Sequence, residues 1–569
     1  MATEFSVYEI PFSRSGAWFG LSPVVGPATY ADDVHLVSHR NGMHPVLSLV
    51  PVLDGNRATT VITAEPAVLT WSAGDTRVAA VFSAPDTLRI SGTGMGMRIS
   101  ATRPTLTPFT GTYFFADPAG GAVFTSYETG HRFRVTVLSG QSSRAGEQEL
   151  GVADRMVVAG EDGGSWELVI EELGTVRPPF ESTTDFPGAV TAARDTFTRF
   201  ADAVAPWRDD RTPAAELACY VLFSATVDPA GFVTRPAVLM SKHWMDKVWS
   251  WDHCFNALAL APGAPGLAWD QFQVVFDHQD TEGALPDSIT HAEVLRNFVK
   301  PPIHGLALTR LRERLPGGLP DARRAYRQLA ALTSFWLDHR RAPGHDLPHY
   351  EHGNDSGWDN STVFREERLV QSADLAAFLV LQMKELATLA AELGEPSARW
   401  DERADDLLAA MLAELWDGTG FVSRGLLTGT VRPSASLLDL MPVVLGEHLP
   451  RQVFDQLCAG ISAHLTSVGL ATELPSSPYY EADGYWRGPV WAPATILIED
   501  GLRRGGAAEL ADQVSARFRA TCEKSGFAEN FDALTGEGLR DRAYTWTASA
   551  YLILAEDAAH TGRGQESVG

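Results

Sequence analysis

The hydrophobic pattern of this chain changes period once, at about residue 185, and that change divides what it can fold into. Up to about residue 175, apolar residues alternate with polar ones. Phe133, Val135 and Val137 share one face of the segment 132–137, and Trp166, Leu168 and Ile170 share one face of 166–170. Such alternation belongs to half-buried antiparallel strands. Turn residues punctuate it at Asp54-Gly55-Asn56, Ala73-Gly74-Asp75 and Pro118-Ala119-Gly120-Gly121, at the spacing of a β-sandwich. Beyond residue 185 the period is helical, as in Ala325, Leu329, Leu332 and Trp336, and in Leu379, Met383, Leu386, Ala390 and Leu393. The second of these runs stops at Gly394-Glu395-Pro396. Ser397 is then placed to cap a following helix through Leu407, Met411 and Leu415, so helical hairpins are the building unit.

Roughly a dozen such helices fit between residues 188 and 561. Between them run long loops rich in Trp, Pro, Asp and His, at about 241–252, 280–302, 343–368 and 473–491. Loops of this length inside a compact helical domain usually carry function. No constant repeat of about 34 or 40 residues occurs, which disfavours a helical solenoid. The expected organisation is an N-terminal antiparallel β-sandwich over 1–180, a linker helix over 181–205 and an (α/α)6 barrel over 206–569.

Composition removes several classes of partner. The 71 acidic residues against 46 basic ones leave a net charge of −25, which repels phosphate backbones and anionic lipid. Neither nucleic acid nor a membrane is an expected partner, and association with a second copy is left open. Met1-Ala2-Thr3-Glu4-Phe5 has no basic or apolar leader pattern, so a cytoplasmic protein is expected. Cys219, Cys254, Cys458 and Cys522 form no CxxC pair and read as buried free thiols. There is no GxxxxGK[ST], GxSxG or HExxH segment. Gly92-Thr93-Gly94-Met95-Gly96 lacks dinucleotide-loop spacing and falls among strands. His345, His349 and His352, even with Asp346 and Glu351, fit no zinc spacing, and Pro348 interrupts them. No cofactor and no metal is expected.

Four loop segments mix aromatics with carboxylates: 244–253, 352–361, 485–491 and 527–532. Indole faces stack on the apolar face of a sugar and carboxylates accept from its hydroxyls, so the expected partner is a small carbohydrate. Cleaving a glycosidic bond needs one carboxylic acid to protonate the leaving oxygen and a second carboxylate to activate water or attack carbon. Taken alone, the sequence nominates Asp246, Asp252, Asp355, Asp359, Glu473, Glu481 and Glu529 without ranking them.

In their order and content these segments resemble the trehalase-like (α/α)6 glycoside hydrolases. The resemblance is greatest to glycoside hydrolase family 63 and the bacterial mannosylglycerate and glucosylglycerate hydrolases grouped with it. It covers about residues 210–560. Asp355-Ser356-Gly357-Trp358-Asp359-Asn360-Ser361 looks like the family's E-S-G-x-D-N-S segment, which implies Asp359 as general acid, with Asp355, Gly357 and Trp358 beside the sugar. Ala528-Glu529-Asn530-Phe531-Asp532 looks like the segment that supplies the general base, implying Glu529. Trp249-Ser250-Trp251-Asp252 is similar to the W-x-W-D segment at the non-reducing sugar, implying contacts from Trp249, Trp251 and Asp252. Tyr485-Trp486-Arg487-Gly488-Pro489-Val490-Trp491 is similar to a Y-W-R-G-P-x-W loop lining the same subsite, implying Tyr485, Trp486, Arg487 and Trp491.

The chain departs from this pattern at Asp355, where the family usually has Glu, and at Asn354, where the glycerate-active members would carry an aromatic. It departs again at Lys300-Pro301-Pro302, which replaces Gln-Pro-Pro. Lys300 is therefore expected either to pair with an acidic group on a sugar or to point to solvent. The resemblance implies an inverting, exo-acting, α-glucosidase-like hydrolase of a small α-linked glucoside. The alternatives are a hydrolase of mannosylglycerate, glucosylglycerate, another α-mannoside or an acidic sugar, a phosphorylase or rhamnosidase on the same fold, and a carbohydrate-binding protein without catalysis.

Overall fold

The computed structural model describes residues 3–176 and 178–566, with side chains as far as His560. The chain divides into two compact units. One comprises Met1–Ala203, Cys219–Lys247 and Thr290–Ala292; the other comprises Val204–Ala218, Val248–Ile289 and Glu293–Gly569.

The first unit holds the β-sandwich, made of two antiparallel sheets. In one, Phe19–Gly26, Thr29–Ser38, His44–Leu53, Gly96–Ala101, Met156–Ala159 and Ser142–Ala145 lie in that order, with Asn56–Arg57 paired to His44–Leu53. In the other the order is Thr112–Ala116, Ala122–Ser126, Arg132–Ser139, Ser165–Leu173, Thr87–Thr93, Thr76–Ala84, Val68–Ala73 and Val61–Glu65. The alternation read from the sequence sorts onto one core: Phe133, Val135, Trp166, Leu168 and Ile170 from one sheet meet Leu36, Leu49, Met97 and Ile99 from the other. The opposite face is not simply wet. Arg134 is 1% exposed and is held by Glu171 at 2.8 Å and by the carbonyl of Pro178 at 2.8 Å.

The glycine run at 92–96 is where the chain crosses from one sheet to the other. A Cβ on Gly92 would lie 2.5 Å from the Trp166 indole, so the close approach of that ring requires glycine there.

Helices α1 (Phe186–Val204) and α2 (Ala215–Ala225) precede the barrel proper. The barrel uses α3 (Asp252–Leu260), α4 (Pro265–Phe276), α5 (His304–Arg314), α6 (Ala322–Ser334), α7 (Ala373–Leu393) and α8 (Ala398–Leu415). A 3₁₀ segment (Leu437–His448), α9 (Arg451–His464), α10 (Ala492–Arg504), α11 (Ala508–Ser525) and α12 (Thr545–Glu566) complete it. Neighbour packing runs from α3 to α5, α7, the 3₁₀ segment, α10 and α12, and from α12 back to α3, closing a ring of six. Helices α4, α6, α8, α9 and α11 pack outside it.

Burial separates the two layers. Every residue of α3 and Ala492–Leu502 of α10 are buried, whereas α8 buries only the stripe Trp400, Ala404, Leu407, Met411 and Leu415. A helix apolar all round needs cover on all sides and a helix with one stripe needs it on one, which selects inner and outer positions.

Two local expectations change. Gly394 ends α7 in the left-handed conformation as the sequence suggests, but Ser397 makes no side-chain cap bond at the start of α8, since its backbone is already helical. Of the four thiols, Cys219, Cys254 and Cys522 are buried and Cys458 is only half-buried.

Candidate active site

In a ring of helical hairpins the inner helices all run the same way, so the segments leading into their N-termini gather at one end. There lie Trp249–Trp251 before α3, Tyr485–Trp491 before α10 and Glu529–Tyr544 before α12. The aromatic and acidic loops singled out in the sequence therefore meet although they are up to about 280 residues apart.

The loop carrying Asp359 is built by hydrogen bonds. His352 Nδ1 accepts from Asn354 N at 3.1 Å and caps the 3₁₀ turn Gly353–Ser356, and Gly357 closes that turn at φ 74°. Asp355 is 1% exposed. Its Oδ1 accepts from Val299 N at 3.1 Å, and its Oδ2 accepts from Glu351 N at 2.9 Å and Arg340 at 3.0 Å. Instead of facing a sugar, this carboxylate braces the loop. Asn360 fastens the loop to its neighbour, donating to Gly484 O at 3.0 Å and accepting from Trp486 N at 2.9 Å.

The aromatic residues divide likewise. Trp486 stacks on Trp491 at 4.1 Å with 7° between planes and packs tilted at 37° against Trp358 at 4.7 Å, and Trp251 meets Trp546 edge-on at 6.0 Å. Trp251, Trp358, Trp486 and Trp491 are at most 3% exposed. They form a wall packed on itself rather than platforms for a sugar ring. Trp249 and Tyr485 keep accessible surface. Arg487 turns away to pair with exposed Glu481 at 2.9 Å.

The carboxylates are the chemical centre. Burial pushes Asp252 up to about 8, against the pull of Lys300, and its Oδ2 has no hydrogen-bond partner among the described residues. Asp359 is pushed up by burial and by Asp287, while Lys300 and a hydrogen bond from the Tyr485 phenol oppose the shift. Burial, then repulsion from Asp541 and Asp359, pushes Glu529 up to about 8, with Arg540 opposing. Each of these acids acts electrostatically on at least one of the others, and Tyr485 feels all three. Perturbed groups converging at one end of a barrel mark a site that does chemistry.

Lys300 does not point to solvent, one of the two expectations made for it. Its ammonium is buried 3.0 Å from Asp287, donates to Asn354 O at 2.9 Å and lies 5.3 Å from the Trp249 ring centroid. The remaining nominated acids have other partners. Asp246 belongs to the first unit, beside His39 at 3.4 Å. Glu473 is fully buried and bonded by Thr362 at 2.8 Å and Ser477 at 2.6 Å.

The sequence reading missed Asp287, Arg540, Asp541, Tyr544 and Trp546. For Arg540 and Asp541 a signal exists: the glycine turn at Gly536 returns the chain past the segment that carries Glu529. Asp287 has none, since only folding brings it to Lys300.

Two buried carboxyls gathered at one end of a closed helical ring supply the pair of groups that hydrolysis of a glycosidic bond requires. Residues 245–547, more than half of the chain, match the family model for the mannosylglycerate hydrolase MGH1-like glycoside hydrolase domain, and the chain belongs to that family. It is 25% identical over 417 residues to the mannosylglycerate hydrolase of Rubrobacter radiotolerans, covering 57% of this chain and 92% of that one. It is 36% identical over 78 residues to the glucosylglycerate hydrolase of Mycolicibacterium hassiacum, a match covering 14% of this chain and 18% of that one. The crystal structure of the GH63 mannosylglycerate hydrolase from Thermus thermophilus in complex with glucose superposes with a TM-score of 0.52 at 23% identity, over 59% of this chain and 98% of that one. No helix among the described residues is long and apolar enough to cross a membrane.

Proposed function

We propose that this glycoside hydrolase cleaves a small α-linked glycoside of glyceric acid with inversion, using Asp359 as general acid and Glu529 as general base. The observation that carries the reading is the pair of buried carboxyls, Asp359 and Glu529, each raised by burial, with Asp359 repelling the ionised Glu529 and the Tyr485 phenol subject to both. Asp359 holds a proton that it gives to the glycosidic oxygen as the bond to the anomeric carbon breaks. Glu529 takes a proton from a water attacking the opposite face, and the sugar leaves with inverted configuration and no covalent intermediate. Asp252, with one oxygen unpartnered, accepts from a sugar hydroxyl; Trp249 and Tyr485 border the ring. The named activities of the relatives support the glycerate leaving group. An α-glucoside is the second reading for the sugar, favoured by the relative named for glucosylglycerate.

Proton NMR in the first minutes after mixing tests this on mannosylglycerate, glucosylglycerate, trehalose and α-linked glucose and mannose disaccharides. The expected result is β-sugar first from a glycerate glycoside, with Asp359→Asn and Glu529→Gln each slowing turnover about 10²–10⁴-fold while the fold persists. First release of α-sugar overturns inversion. Near-wild-type rates in either variant overturn the residue assignment. Strict dependence on phosphate would make the enzyme a phosphorylase, and calorimetric sugar binding without turnover would make it a binding protein.

A further inference from the structure

Among the described residues of the second unit, two residues other than glycine hold a left-handed backbone: Tyr485, with φ 62°, and Arg540, with φ 61°. Such a conformation costs a residue with a β-carbon about 1–2 kcal/mol, and strain of this kind gathers at working sites. The two residues touch. The Arg540 guanidinium carbon lies 4.9 Å from the Tyr485 ring centroid, and Trp491 meets the same ring edge-on at 4.9 Å. Trp491 also donates to the Tyr485 carbonyl at 2.8 Å. The guanidinium bonds to Asn530 Oδ1 at 3.1 Å and pairs with Asp483 at 2.6 Å.

Strand pairing sets the position of Arg540. Asn530 faces Leu539 and Phe531 faces Gly538, so the next step of the hairpin brings Arg540 across from Glu529. Glu529 N donates to Asp541 O at 2.7 Å at that step. The charges acting on the Glu529 carboxyl are those of Asp541 and Asp359, which repel its ionised form, and that of Arg540, which attracts it. The phenols of Tyr485 and Tyr544 also face it.

We propose that Arg540 is a positioning residue for the hydrolysis: stacked on Tyr485 and bonded to Asn530, it steadies the Glu529 carboxyl and favours its base form opposite Asp359. This rests on Glu529 being the base. The stack couples the two halves of the site, because the ring that carries the guanidinium is the one whose phenol reaches Asp359. A neutral side chain at 540 would leave Glu529 facing like charge and phenols, with the hydrogen bond from the Asp541 backbone N–H as the remaining contact that favours its ionised form.

The test is the pH dependence of kcat/KM for the parent protein, the Arg540→Gln variant and the Arg540→Lys variant, on the glycoside identified by the product assay. In Arg540→Gln the limb on which Glu529 loses its proton should move up by about half to one pH unit, so kcat/KM falls about three- to fivefold more at pH 6.5 than at pH 9. Arg540→Lys should restore most of the limb, with kcat still reduced because ammonium does not reproduce the planar stack. A limb that stays in place while KM rises would overturn the proposal and make Arg540 a substrate contact. A second readout needs no turnover: in protein labelled at the Glu side-chain carboxyl carbons, the resonance absent from Glu529→Gln should titrate at higher pH in Arg540→Gln. An unchanged titration overturns the proposal. Full activity in Glu529→Gln would instead overturn the base assignment.

Discussion

The ammonium of Lys300 and the carboxylate of Asp287 stand 3.0 Å apart, with both side chains no more than 6% exposed. The lysine that the sequence offered to an acidic sugar is thus paired within the protein. It also lowers the cost of holding Asp252 and Asp359 ionised.

Removing that cation alone should be expensive. Lys300→Met leaves Asp287 without its buried ammonium, and breaking a buried pair from one side costs about 3–5 kcal/mol. Adding Asp287→Leu should recover much of the loss, because a buried pair replaced by apolar groups of similar size is close to neutral. Thermal melts of both single variants and the double variant check this; losses that merely add would show that the two residues act independently.

Two carboxyls should make the fold more stable when they are neutralised at alkaline pH. Glu529 and Asp252 are each raised by burial to about 8 in the folded chain, above their values of 4.5 and 3.8. A group raised on folding binds its proton more tightly when folded. Its favourable contribution is complete below about pH 4 and is lost as the pH climbs through about 8. Glu529→Gln and Asp252→Asn should therefore melt like the parent near pH 4.5 and a few degrees above it at pH 8.5. Equal melting differences at both pH values would contradict the raised carboxyls.

Gly357 should be intolerant of alanine for two separate reasons. Its φ of 74° is unfavourable to a β-carbon, and that carbon would sit 2.5 Å from the Trp251 indole. Gly394, with φ 72° and nothing within 4 Å, carries only the first penalty. Gly394→Ala should cost about 1 kcal/mol, whereas Gly357→Ala should cost at least twice that and lower turnover about tenfold or more by displacing Asp359. Denaturation midpoints and kcat for the two variants check the contrast; equal effects would mean that Trp251 moves aside without consequence.

Much of this protein is local in its causes and could be read before folding. The change from period two to 3.6 separates sandwich from barrel because side-chain direction repeats with the backbone in each element. Gly394 ends a helix because it alone tolerates that dihedral cheaply. Asp359 and Glu529 stand out because the segments around them match a pattern residue by residue.

Only the tertiary structure decided which groups face one another. Asp355 reads as a second acid of the site, yet three donors from separate segments turn it into a brace for the loop. Four tryptophans read as sugar platforms, yet they bury their faces in each other. Lys300 finds Asp287, and Arg540 finds Tyr485 from 55 residues away along the chain. A carboxylate's proton affinity and an indole's free face depend on burial and on neighbours brought in from distant segments. Those come into being when the ring of helices closes, and no spacing within one segment encodes them.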